Sequence, residues 1–105
     1  MADPAVLNIK LQTYSWISLT LGKSAKPNRL FRKKVAAGTT LFDLFAKLAA
    51  RHPDFRDKVY NPATGVINEQ ILVIVNNRLV QARNFRQTEL YDRDTITLSI
   101  VLAGG

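Results

Sequence analysis

The sequence predicts an α+β domain in which one main helix packs on one face of a mixed β-sheet. Three observations predict it. Apolar residues recur at helical spacing over 41–49, alternating segments lie before and after that stretch, and an apolar run at 71–75 is bounded by polar and turn-forming residues. The chain has 105 residues, the size of one ordinary domain. A 47% hydrophobic content is enough for a core at this length. With 22% charged residues, five glycines and four prolines, the composition argues against disorder.

The first element is Val6 to Gln12. Leu7, Ile9 and Leu11 share one face, and Asn8, Lys10 and Gln12 the other, as in a half-buried strand. Trp16 to Leu21 is apolar without a clear period and fits either a continued strand or a short helical turn. Gly22 to Asn28 reads as a loop. Leu30 to Val35 reads as a second strand, charged enough to lie at an edge. Thr40 can then cap a helix, with Asp43 in capping-box position. Leu41, Leu44, Phe45, Leu48 and Ala49 form its apolar stripe, and Pro53 is expected to stop it.

Phe55 to Gln70 reads as a long connection containing the turn Asn61-Pro62-Ala63-Thr64-Gly65. Ile71 to Val75 is the best strand. Polar Gln70 and Asn76 share parity with Leu72 and Ile74, so Leu72 and Ile74 are expected on the outer face and Ile71, Val73 and Val75 in the core. Asn76-Asn77 before Arg78-Leu79-Val80 signals a hairpin. A short segment, Thr88 to Tyr91, precedes the turn Asp92-Arg93-Asp94. In the last strand, Thr95 to Val101, Ile96, Leu98 and Ile100 are expected inward. The domain is thus expected over residues 1–101, with 102–105 as a flexible tail.

Composition also limits the chemistry. Without cysteine there is no disulfide, no thiolate nucleophile and no Cys-based metal site. His52 is the single histidine and has no second ligand nearby, so a helix-end role is expected and a metal is not. No paired acids stand at a useful spacing, so the chain is not expected to be an enzyme. No apolar run approaches the ~20 residues that span a bilayer. The first residues lack a basic and then apolar leader pattern, which makes the cytoplasm the expected location.

The net charge is +7. Residues 1–42 hold seven Lys/Arg against one acid, and residues 43–105 hold eight against seven. The dense segment is Lys23, Lys26, Arg29, Arg32, Lys33 and Lys34. Attraction to an acidic partner or a nucleic acid is one reading. A solvated face is the preferred one, because stacking aromatics are sparse there.

The chain ends Val101-Leu102-Ala103-Gly104-Gly105. Folding does not call for two glycines after a core strand, since glycine adds backbone freedom that order must remove. They offer a thin arm that can thread a narrow channel and present the Gly105 carboxylate to a nucleotide. Joined to the α-phosphate of ATP, that carboxylate becomes an electrophile for sulfur or amine.

Several stretches together resemble the small sulfur carriers. They are Ile71-Leu72-Val73-Ile74-Val75-Asn76, the hairpin to Leu79-Val80, Leu90-Tyr91-Asp92-Arg93-Asp94-Thr95-Ile96-Thr97-Leu98, and the final Leu102-Ala103-Gly104-Gly105. That group includes the molybdopterin synthase small subunit, the thiamine-pathway carrier, a cysteine-synthesis carrier and the ubiquitin-related modifiers. Its members close a strand with Val-Asn, carry a turn near Leu-x-Asp-Gly-Asp and end in Gly-Gly; Arg93 here replaces the usual glycine.

The resemblance implies a ubiquitin-like β-grasp fold. It also implies that an E1-like adenylyltransferase activates Gly105 with its own ATP and Mg²⁺, the chain itself binding no cofactor. A sulfur donor then makes a thiocarboxylate that feeds an acceptor synthase. The sheet face opposite the helix would dock the partners, which maps onto Leu72, Ile74, Val101, Leu102 and Ala103. The sequence does not choose among molybdopterin, thiamine, cysteine or a modified tRNA base as the end use. The molybdopterin branch, with its synthase large subunit as acceptor, is the expectation because it is the commonest. One alternative is a protein modifier joined to lysines through Gly105; Lys23, Lys26, Lys33 and Lys34 could serve as chain sites, although exposed lysines are ordinary. Another is a small basic nucleic-acid-binding domain resting on residues 23–34. Neither a membrane nor a nucleic acid is among the expected partners.

Overall fold

In the computed structural model, residues 5–22 and 28–101 are described. The chain runs β1 (Val6–Thr13), a 3₁₀ turn (Ser15–Leu21), β2 (Arg29–Ala36), α1 (Leu41–Arg51), α2 (Pro53–Lys58), β3 (Tyr60–Asn61), β4 (Val66–Ile67), β5 (Ile71–Val75), β6 (Arg78–Leu79), a 3₁₀ turn (Ala82–Gln87) and β7 (Thr95–Ile100). Five strands form one sheet in the order β2-β1-β7-β5-β6, and β3-β4 form a small separate ladder. β1 and β7 are parallel, with Leu11 opposite Ile96, while the other neighbours are antiparallel. A mixed sheet with central parallel strands and a helix across it is the α+β arrangement that the alternation and the helix stripe predict, and it is the ubiquitin-like β-grasp that the resemblance implies.

The facing of each main strand follows its period. Ile9 and Leu11, Ile71, Val73 and Val75, and Ile96 and Leu98 are buried. They meet Leu41, Leu44, Phe45, Leu48 and Ala49 of α1, the whole predicted stripe. Leu72 and Ile74 lie on the opposite face and are half-buried. The cap forms as expected: the Thr40 hydroxyl accepts from Asp43 N–H at 3.1 Å, and the Asp43 carboxylate accepts from Thr40 N–H at 3.0 Å. Such a cap is worth about 0.5–2 kcal/mol.

Three expectations change and one open choice is decided. α1 does stop before Pro53, but that proline also opens α2, because a fixed φ and a missing N–H are harmless at a first helical position. The expected connection Phe55–Gln70 contains most of α2 and the β3-β4 hairpin, folded around buried Phe55, Val59 and Tyr60. Of the two conformations open to residues 16–21, the chain takes the helical one. The second strand runs one residue further at each end than expected.

Asn76 and Asn77 have φ of 49° and 72°, the left-handed backbone that a two-residue hairpin needs. Arg93 has φ of 69°, so the position where the resemblance leads one to expect glycine keeps the glycine-like backbone although its residue is an arginine.

Candidate functional site

The site expected from sequence has two parts, a tail and the sheet face beside its origin. Leu102, Ala103, Gly104 and Gly105 lie outside the described residues, as does the proposed tail as a unit. The structure does describe the strand that precedes them in the chain. β7 is the middle strand of the sheet, held by β1 on one side and β5 on the other. Its ladder continues one step, with Val101 N–H donating to the Gln70 carbonyl at 2.7 Å. Tyr14 N–H donates to the Leu98 carbonyl at 3.2 Å, closing the β1 side. The described chain therefore ends at Val101, next to the start of β5, on a strand tied down on both edges.

On the open face the residues nearest this end of β7 are apolar. Leu72 and Ile74 are half-buried, and Val101 is 47% exposed. Leu79, 61% exposed, pairs directly with Ile74 across the β5-β6 hairpin and extends the patch. Sequence reasoning missed Leu79 because β6 has two residues and no alternation of its own. The available signal was the turn: with Asn76-Asn77 as a two-residue loop, Leu79 must stand opposite Ile74. Thr97 and Ser99 of β7 border the patch, through their pairing with Ile74 and Leu72. An apolar patch of this kind can dock a partner's apolar surface.

The Val-Asn and Asp-Arg-Asp motifs lie at the other end of β7, about 20 Å away at the usual rise per strand residue. Asn76 Nδ2 donates to Asp94 Oδ1 at 2.6 Å, and Asn76 Oδ1 accepts from Thr95 N–H at 2.9 Å. Asp94 Oδ2 accepts from Tyr91 N–H at 2.8 Å. Asp92 Oδ1 accepts from Asn8 N–H at 2.7 Å, and Arg93 N–H donates to the Asn8 carbonyl at 2.7 Å. These side chains satisfy backbone and one another, and so join β1, β5 and β7. Their part is to hold the sheet together.

The sequence model of the ThiS family matches residues 26–105. No curated protein matches the chain. Among solved structures, SAMP1 from Haloferax volcanii superposes with a TM-score of 0.65 at 17% identity, covering 93% of this chain and 99% of that one. The Haloferax volcanii HVO 2177 protein gives a TM-score of 0.68 at 18% identity, covering 100% of this chain and 92% of that one. A Pyrococcus furiosus protein assigned as molybdopterin converting factor, subunit 1, gives 0.64 at 17% identity, covering 91% and 99%.

Proposed function

The chain belongs to the ThiS family of ubiquitin-like sulfur carriers, and from that premise we propose that its working group is the Gly105 carboxylate. An E1-like enzyme supplies ATP and Mg²⁺. A carboxylate oxygen of Gly105 attacks the α-phosphorus, pyrophosphate leaves, and an acyl-adenylate forms. Sulfide from a donor then attacks the carbonyl carbon and AMP leaves, which gives a thiocarboxylate. An acceptor enzyme takes the sulfur, and a water oxygen restores the carboxylate. The observation that carries this reading is the family match reaching the Gly104-Gly105 end, on a chain whose last strand is held from both sides.

The role of the chain's own residues is presentation. Glycines at 104 and 105 have no Cβ to widen the channel a partner must provide. Leu72, Ile74, Leu79 and Val101 supply the docking patch, and Leu102 and Ala103, next in sequence, join the contact. Delivery to molybdopterin synthesis is the end use favoured, in keeping with the assigned role of the Pyrococcus furiosus neighbour. A modifier role is the second reading, favoured by the fold shared with SAMP1; it differs only in that a lysine amine attacks the adenylate. The cytoplasm remains the proposed location; no helix among the described residues is long and apolar enough to cross a membrane.

The test is ATP–pyrophosphate exchange by the host's E1-like enzyme. Exchange should depend on this chain and vanish when Gly104 and Gly105 are removed. Leu79→Asp sits on an exposed position and should leave the fold intact. It should raise the KM for the carrier about tenfold with kcat largely kept, a loss of about 1.4 kcal/mol in docking. Unchanged KM in both Leu79→Asp and Val101→Asp would remove the docking role from this face.

A further inference from the structure

The chain's positive charge gathers at one edge of the sheet. β2 is an edge strand. Its inner face, opposite Ile9, carries Lys33, and α1 brings Lys47 and Arg51 toward the same place. A cleft of about 330 Å³ between them is lined by Arg32, Lys33, Lys34, Lys47, Arg51 and His52 over an apolar floor. On the other side of the same strand, a cleft of about 470 Å³ adds Lys10 and Arg93 to the β2 cations. No Asp or Glu lines either cleft. Among the described residues the one ion pair, Arg56 with Asp57 at 3.0 Å, lies elsewhere. Asp43, four residues before Lys47, accepts from the helix cap at Thr40 N–H. Partial burial, followed by the charges of Arg51 and Lys47, holds the Lys33 ammonium below its ordinary range.

Protection of a sheet edge against aggregation explains Arg32 and Lys34. It does not explain two helix cations, four residues apart and mutually repelling, turned toward the strand lysine. The arrangement costs stability in the free chain and is relieved by an anion. Lysine is depleted at protein–protein interfaces, and the single strongly exposed large apolar residue of β2, Leu30 at 47%, stands alone among cations at 29 and 32–34. Interfaces with nucleic acid are polar and cationic. The cations flank both sides of one strand, which suits several phosphates along a chain better than a single one. Phe31, the aromatic ring on β2, is on the inner side with Arg29 Cζ 4.4 Å from its centroid, so it offers no free stacking platform.

We propose that the β2 edge, with Lys47 and Arg51 of α1, binds the phosphate backbone of a nucleic acid without reading its bases. The edge lies three strands from β5, about 14 Å, so it leaves the apolar patch and the tail free. Binding here is independent of the chemistry at Gly105.

The test uses the full chain and a fluorescently labelled RNA hairpin, with anisotropy measured over a range of salt. Affinity should fall linearly in log–log form with a slope of about −4 to −5, as for about five phosphate contacts. The triple variant Lys33→Gln, Lys47→Gln, Arg51→Gln should weaken binding at least tenfold and flatten the slope by about two to three. Its thermal midpoint should stay level or rise, because a repulsion is removed. A charge-matched control, Lys58→Gln, Arg78→Gln, Arg83→Gln, should keep the slope of the native chain, and so should a chain lacking Gly104 and Gly105. Equal losses in the two triples would overturn the proposal in favour of net charge alone. Binding of polyglutamate as tight as RNA would overturn it in favour of an acidic protein partner.

Discussion

Phe45→Ala lowers the stability of the domain by about 3–5 kcal/mol, the range for emptying a buried phenylalanine site. Phe45 is fully buried on α1 and is the centre of an aromatic cluster. Its ring lies 5.8 Å from Phe55, 5.9 Å from Tyr60 and 5.2 Å from Phe85, the last at 84° in an edge-to-face contact. These partners come from α2, β3 and the second 3₁₀ turn, the elements outside the main sheet. Removing the ring leaves a void that three separate elements would have to close, each anchored elsewhere, so collapse is limited. Each aromatic pair adds about 0.5–1.5 kcal/mol beyond area alone. Urea unfolding measures the loss. Phe45→Leu should cost less, because it fills most of the site. A cost below about 1.5 kcal/mol for alanine would mean that the cluster does not hold these elements to the helix.

Asp94→Ala is expected to cost about 2–3 kcal/mol, as for losing charged hydrogen bonds and stranding their donors. Asp94 is 8% exposed and accepts from both Asn76 Nδ2 and Tyr91 N–H. Its loss leaves the Asn76 amide donor without that acceptor at the β5-β6 turn and frees the approach to β7. Asn76→Ala removes the partner and also sets alanine at a φ of 49°. A double-mutant cycle separates these effects: the coupling between positions 76 and 94 should exceed about 0.5 kcal/mol. Strict additivity would contradict a joint lock and leave two independent turn effects.

The parts of the fold with a repeated pattern were legible. The helix stripe, the alternation of β1 and β7 and the polar flanks of β5 each repeat an inside-outside signal several times, and their facing followed. Single aromatic residues in segments without a period carried no such signal. Phe55 and Phe85 are fully buried, yet nothing local distinguishes an isolated phenylalanine that enters the core from one that stays outside. Pro53 was read only as a stop because the same ring that ends one helix is well suited to start another. In the site, Leu72 and Ile74 were legible by parity, whereas Leu79 required knowing its cross-strand partner. The cationic clefts were half legible. Residues 32–34 form a visible run, but Lys47 and Arg51 join them only through the packing of α1 on the sheet. Lys23 and Lys26, the other lysines of that run, lie outside the described residues.

The most direct test of the carrier reading is the intact mass of the chain after incubation with ATP, Mg²⁺, a sulfide source and the host's E1-like enzyme, beside a chain lacking Gly104 and Gly105. The expected result is a mass rise equal to one oxygen replaced by sulfur, confined by fragmentation to Gly105 and absent from the shortened chain. No rise, with the same enzyme shown to load another carrier, would contradict the carrier reading.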